Sequence, residues 1–240
     1  MDMADLLTLL VGLRDGTATR TDHPEFPFIY FCLERLTRSK SQLLQDLWVL
    51  YELGSPTGGY FVEVGASDGV IFSNTHMLET QYGWSGIVAE PSRVWYPRLR
   101  ANRACAIDDR CVWRETGTRV TFNEASTPMH ATIDSYSYDD LHAESRRRGR
   151  RYPVETVTLN DLLAAHGAPR RIDYLSIDTE GSELDILAAF DFGAYDVRLI
   201  TVEHNHTARR EAIFDLLTGQ GFTRKFESLS RVDDWYVASR

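Results

Sequence analysis

From Tyr60 onward the chain keeps one rhythm, and that rhythm restricts its fold more than any other feature. Short apolar runs alternate with segments whose apolar residues recur every three or four positions. The apolar runs are YFVEV (60–64), GIVAE (86–90), IDYLSID (172–178) and VRLITVEHN (197–205). Between and after them lie SNTHMLETQY (73–82), SRVWYPRLRANR (92–103, interrupted by Pro97), TLNDLLAAHG (158–167), GSELDILAAF (181–190) and ARREAIFDLLTGQG (208–221), all of helical character. Such alternation predicts an α/β fold with a mostly parallel sheet covered on both faces. Residues 105–113 hold a further strand, and RVTFNE (119–124) is another extended piece. FTRKFES and DDWYVAS close the chain as two strands near enough to pair antiparallel.

Upstream, the pattern is helical. Leu6, Leu7, Leu9, Leu10 and Leu13 mark one segment, Phe28 to Arg38 a second, and SQLLQDLWVLYEL from Ser41 a third, which GSPTGG ends. The expected organisation is a helical N-terminal extension over residues 1–58 and a main domain over 59–240. Within the latter, residues 125–153 are polar and rich in small residues and tyrosines. They read as a loop outside the sheet, where His130, Tyr136 and Tyr138 are candidate contacts for a substrate. The basic run RRRGRR (146–151) reads as solvated loop. Trp84, Trp95, Trp113 and Trp235 read as packing, and Trp48 belongs to the helical apolar set.

A formal net charge of −9 repels phosphate backbones, so no nucleic-acid partner is expected. Three cysteines without paired spacing argue against a disulfide framework and for a reducing compartment. No apolar stretch reaches membrane-spanning length. The N-terminus has no basic segment before its apolar run and reads as an amphipathic helix rather than a signal peptide. The expected location is cytoplasmic. The oligomeric state is not encoded in any pattern found.

Ligands of open α/β sheets sit beyond the carboxyl ends of the strands. Those ends are Glu63-Val64-Gly65, Glu90-Pro91, Ser176-Ile177-Asp178 and Glu203-His204-Asn205, each with an acid. In Glu63-Val64-Gly65-Ala66-Ser67-Asp68-Gly69 the glycines permit a tight turn and close approach of a ligand. A dinucleotide site would carry GxGxxG, but Ser67 stands where the second glycine would fall. Glu63 and Asp68 would also repel a pyrophosphate. They suit a cationic ligand without phosphate. Glu90, closing the next strand, has two oxygens that match a ribose diol.

FVEVGASDGVIFSNT, GWSGIVAEPS, IDYLSIDTEGSELDIL, ITVEHN and DDWYV, with SQLLQD upstream, resemble the FkbM-type methyltransferase family over about residues 39–238. The resemblance implies a Rossmann-like class I methyltransferase fold with seven strands, the last antiparallel. It implies S-adenosylmethionine as methyl donor and an oxygen acceptor on a sugar, glycan or polyketide-type metabolite. By position, Glu63, Gly65, Ala66, Asp68 and Gly69 would surround the methionine end, and Glu90, Pro91 and Ser92 the ribose. Asp109, Arg110 and Cys111 fall at the adenine side. Ser73, Asn74 and Thr75 open a helix toward the same cleft, where their amides would meet a carboxylate.

Asp178 and Glu203 end strands expected to be neighbours, with Glu180, His204, Asn205 and His206 on the same rim. Like charges this close need a shared proton, a cationic substrate or sulfonium, or a metal ion. Asp178, His204 and His206 are candidate general bases for an acceptor hydroxyl, with Glu203 beside them. Asp178, Glu203 and Asn205 together resemble the oxygen ligands of magnesium-dependent catechol-type methyltransferases, so a magnesium ion is the alternative device. Against these stand plainer readings, in which Glu180 and Glu183 favour a helix N-terminus and the histidines are ordinary loop residues. The expectation is an O-methyltransferase for a small-molecule or glycan acceptor. The competing expectation is a non-catalytic nucleotide- or metabolite-binding module of the same fold, which would retain Glu90 but have no use for the acid cluster.

Overall fold

The computed structural model describes residue 11 and residues 25–138 and 140–239, so the N-terminal leucine segment lies outside the described residues. Eleven strands follow in chain order. They are β1 (Tyr60–Val64), β2 (Ser85–Ala89), β3 (Ala106–Asp108), β4 (Cys111–Val112), β5 (Arg119–Glu124) and β6 (Thr132–Ile133), then β7 (Arg150–Val157), β8 (Arg171–Ile177), β9 (Asp196–Glu203), β10 (Phe222–Lys225) and β11 (Asp233–Ala238).

Seven of them form one sheet in the order β10-β11-β9-β8-β1-β2-β3. Neighbours from β9 to β3 run parallel. β11 runs antiparallel between β9 and β10, as expected. Side chains alternate across the sheet. Val62, Val64, Ile87, Leu175, Ile177 and Ile200 pack on one face with Leu162, Ile186 and Ile213 from helices. Phe61, Val88, Tyr174, Leu199 and Trp235 pack on the other with Leu47 and Trp48. The two indoles lie 5.2 Å apart between ring centroids. Burial on both faces explains why these strands read as near-continuous apolar runs.

Several local boundaries differ from the sequence expectation. The second upstream segment is a helix over Phe26–Leu33 and a separate 3-10 turn over Leu36–Arg38 rather than one helix from Phe28 to Arg38. The third upstream helix starts at Gln45 rather than Ser41, because the preceding residues fold back onto Asp46, which accepts hydrogen bonds from Ser39 Oγ (2.6 Å) and Lys40 N (3.2 Å). Pro97 does not interrupt a helix but sits in the first turn of Tyr96–Asn102, where its missing N–H costs nothing. The first helix after β1 starts at His76, with Ser73 Oγ accepting from the His76 amide (3.1 Å).

A second sheet, β4-β7-β5-β6, departs more from expectation. RVTFNE belongs to it, and RRYPVETV, whose first four residues fall in the expected loop, is its longest strand. Pro153 is tolerated in this strand because β4 pairs only with Thr156 and Val157, leaving Pro153 beyond its reach. The basic run is not simply solvated either. Arg146 is completely buried while Arg147 and Arg148 are exposed. Its guanidinium donates to His130 O (2.6 Å), Asp140 Oδ1 (2.7 Å) and Glu180 Oε2 (2.7 Å). Arg146 thereby ties His130 and Asp140 to Glu180, just past the carboxyl end of β8.

Candidate functional site

The turn after β1 is built by its own acids. Gly65 has φ +90°, and a Cβ there would lie 1.7 Å from the Asp178 carbonyl oxygen. Only glycine lets β1 and β8 meet so closely. Asp68 Oδ1 accepts from the amides of Val70 (2.9 Å) and Ile71 (2.8 Å), closing the next bend. Glu63 turns back into the protein. It takes hydrogen bonds from Asn74 N (2.6 Å), Thr75 Oγ1 (2.6 Å) and Ser73 Oγ (2.9 Å), and pairs with buried Arg103 (3.3 Å). Arg103 also pairs with Glu79. The Asn74 amide, expected to be free for a ligand, is thus engaged within the turn.

Above this turn lies a cleft of about 470 Å³. Of the expected cofactor contacts, Gly65, Ala66, Ser73, Glu90, Pro91, Asp178 and Glu180 line it. Glu63, Asp68, Gly69, Asn74, Thr75 and Ser92 stand behind the lining. Asp109 and Arg110 face a separate, shallow recess with Arg93, Tyr96 and Pro153. Asp108 explains this placement, because it holds Arg110 (Nη2, 2.6 Å) and His166 (Nε2, 2.9 Å) at the end of β3. The chain then returns to the cleft through Cys111 and Val112.

Glu90 is the most organised polar group in the cleft. Its Oε2 accepts from Ser67 N and its Oε1 from Ser92 N, both at 2.8 Å. Each oxygen keeps a further lone pair. Burial pushes its carboxyl up to about 7, although the two amides oppose the rise. Opposite Glu90, Asp178, Glu180 and Glu203 present carboxylate oxygens within 4.8 Å of one another. Burial lifts Asp178 to about 6, and burial together with Asp178 holds Glu180 and Glu203 well above the usual carboxylate range. Asp233, bonded by Gln45 (2.6 Å), is pushed to about 7 by burial and by Asp178.

The structure separates the two candidate histidines. His204 stands behind the cleft, with Nε2 3.8 Å from Asp234 and Nδ1 accepting from the His206 amide (3.0 Å). Burial depresses its pKa to about 4. His206 and Asn205 line the cleft. Of the loop aromatics, Tyr136 is tied to Trp113 and Asp185, and Tyr138 bonds Arg151 at the surface. His130 does line the cleft and stacks on His142 at 3.8 Å between centroids.

Sequence reasoning missed several residues that shape the cleft. Phe122 and Ile133 supply apolar wall from the second sheet. Ile71, Phe72 and Leu141 stand half to fully exposed around the mouth. The alternation of buried residues along 150–157 was the available signal for the second sheet. No pattern marked Arg146.

The sequence profile of the Methyltransferase FkbM domain matches residues 63–234. A comparison with curated proteins gives no match. Among solved structures, the chain is similar to the methyltransferase FkbM from Methylobacillus flagellatus, with a TM-score of 0.50 and 14% identity, over 98% of this chain and 60% of that one. The N-terminal domain of human METTL16 gives a TM-score of 0.43 at 13% identity, covering 94% and 76% of the two chains. Precorrin-6y C5,15-methyltransferase from Geobacter metallireducens gives 0.41 at 10%, covering 80% and 85%. At such identities the likeness is one of fold, the class I methyltransferase fold, and the chain spans under two thirds of the length of the first of these structures. With the profile matching from the end of β1 into β11, the chain belongs to the FkbM methyltransferase domain family.

Proposed function

We propose that the chain is an S-adenosylmethionine-dependent O-methyltransferase whose acceptor carries its hydroxyl on an uncharged, largely apolar body, of the polyketide or apolar glycoside kind. Glu90 carries this reading. Its buried carboxylate lines the cleft, fixed by two backbone amides, with one lone pair on each oxygen left for a vicinal diol. The cleft volume, about 470 Å³, falls within the range of small-molecule sites. The lining fits a cationic nucleoside, since Glu90, Asp178, Glu180 and Glu203 line the cleft with no lysine or arginine among the described residues to meet a phosphate.

S-adenosylmethionine, when bound, supplies a methyl group already activated by its sulfonium charge. The protein's part is alignment of the acceptor and removal of its proton. Glu90 would hold the ribose, and the Gly65-Ala66 backbone the neighbouring part of the cofactor. Cys111, Val112 and Phe122 offer an apolar wall that excludes water. Asp178 at the floor and His206 at the rim are the expected bases that line the cleft, whereas His204 is turned toward Asp234. Asp178→Asn and His206→Gln would separate the two, since loss of the base lowers kcat without weakening cofactor binding.

Two features support the acceptor class. Among the described residues, no lysine or arginine lines the cleft, while Glu90, Asp178, Glu180 and Glu203 do, which disfavours nucleic acid. Ile71, Phe72 and Leu141 give the mouth an apolar rim. The test is turnover of S-adenosylmethionine with octyl glycosides, aryl polyols, free sugars and short RNA. Turnover with the apolar acceptors is expected. Absence of S-adenosylhomocysteine binding by calorimetry would sink the methyltransferase reading, and turnover with RNA alone would sink the acceptor class.

A further inference from the structure

We infer that His130 takes the proton of the acceptor hydroxyl at its Nε2, and that Ser145 is the positioning residue that keeps this nitrogen unprotonated. Three histidines line the cleft: His130, His142 and His206. Among the described residues, only His130 has a ring nitrogen hydrogen-bonded to the protein, Nδ1 to Ser145 Oγ at 3.0 Å.

The direction of that bond follows from a proton count. A serine hydroxyl has one proton, and Ser145 Oγ donates it to the His142 carbonyl oxygen (2.9 Å). Toward His130 it can therefore only accept, so Nδ1 carries the hydrogen. In a neutral imidazole the other nitrogen then holds a lone pair. Nε2 has no hydrogen-bond partner among the described residues and is not sealed within the protein. The surroundings keep the ring neutral. Burial, the stacked His142 (3.8 Å between centroids) and the Arg146 guanidinium all disfavour its protonation. Asp140 opposes them, but Arg146 pairs with it and with Glu180.

The assignment rests on the methyl-transfer reading and names a base outside the two expected ones. The ring of His206 has no hydrogen bond among the described residues to fix its tautomer. Asp178 ends the main sheet against the Gly65 turn, beside the proposed cofactor contacts. His130 instead comes from the turn Pro128–His130 between β5 and β6, outside that sheet. An in-line attack brings the acceptor oxygen to the methyl from the side away from sulfur, which suits a base on the covering segment. In this step the O–H bond breaks and its proton goes to Nε2. The oxygen's electron pair forms the bond to carbon, and the carbon–sulfur pair stays on sulfur. The positive charge lost at sulfur is then carried by the imidazolium. His142 and Arg146 disfavour that charge, so the proton passes on to solvent at the mouth.

The experiment has two arms. In cofactor-free protein carrying isotope-labelled histidine, NMR should show His130 in the Nδ1–H tautomer at neutral pH, titrating below the ordinary 6.5. Ser145→Ala should let both tautomers be populated. With S-adenosylmethionine and an octyl glycoside, His130→Gln should lower kcat by about a hundredfold or more and leave KM nearly unchanged. The acid limb of the kcat profile should follow the His130 midpoint and vanish in that variant. Ser145→Ala should lower kcat up to about tenfold, and Ser145→Thr should restore it. An Nε2–H tautomer in the wild type would overturn the assignment, as would turnover by folded His130→Gln close to that of the wild type. The tautomer arm needs neither acceptor nor cofactor, and it decides the matter if His130→Gln fails to fold. Neither overturning result alters S-adenosylhomocysteine binding by the wild type, whose absence is the separate failure of the methyltransferase reading.

Discussion

Replacing Glu90 by glutamine should weaken cofactor binding while reversing its effect on stability with pH. The ionised carboxylate accepts one amide on each oxygen, both at 2.8 Å. Burial nevertheless pushes its pKa from 4.5 to about 7. At about 1.4 kcal/mol per tenfold, ionising Glu90 in the cofactor-free protein costs about 3 kcal/mol. Glutamine removes that penalty but directs an NH₂ at one of the two amides, leaving a buried donor unpaired at a cost of about 1–3 kcal/mol. Glu90 has a folded pKa above its unfolded value. Its penalty is therefore absent below about pH 4.5, grows as pH rises toward 7, and is constant above. The variant should be less stable than wild type by up to about 2 kcal/mol at pH 5, where the wild-type penalty is still under about 1 kcal/mol, and as stable or more stable at pH 8. Its affinity for S-adenosylhomocysteine at pH 8 should fall by about tenfold or more, since a hydrogen bond to a charged acceptor contributes about 1.5–3 kcal/mol. Urea melts of the cofactor-free protein at the two pH values and calorimetry test both halves. An equal stability difference at pH 5 and 8 would refute the electrostatic reasoning, and unchanged affinity would remove Glu90 from the cofactor site.

Other substitutions address the scaffold and the mouth. Arg146→Met breaks a fully buried ion pair with Asp140 and Glu180 and should cost about 3–5 kcal/mol in urea melts, with a loss under about 1 kcal/mol contradicting its role as a staple. Gly65→Ala forces a Cβ onto the Asp178 carbonyl at φ +90° and should cost roughly 3 kcal/mol, so a variant melting like wild type would mean that the two strand ends separate easily. Leu141→Ser alters a residue 86% exposed and should change stability by no more than about 0.5 kcal/mol. It should also raise KM for an octyl glycoside about tenfold through lost apolar contact. An unchanged KM would detach the rim from acceptor binding.

Much of the fold is legible because the same physical demand repeats along the chain. Strands buried on both faces must be largely apolar, and YFVEV, GIVAE, IDYLSID and VRLITVE are. The antiparallel β11 was readable as one of two closely spaced final strands. The second sheet was less legible, because its longest strand starts inside a polar segment that reads as loop, and whether Pro153 fits there depends on how far β4 extends beside it. Arg146 looked like one of several surface arginines, since nothing local distinguishes an arginine that will meet Asp140 and Glu180 from those that stay in water.

The candidate site divides in the same way. Sequence by itself determined that acids stand at four strand ends, because strand length and direction are local properties. Only tertiary structure decided which acids share the cleft. Glu63 satisfies its oxygens on Ser73, Asn74, Thr75 and Arg103, and so turns away from it. Glu203, one strand beyond Asp178, is left with an oxygen that finds no donor. The difference lies in the partners each carboxylate meets after the chain has folded, and those partners come from distant segments whose proximity no local pattern records.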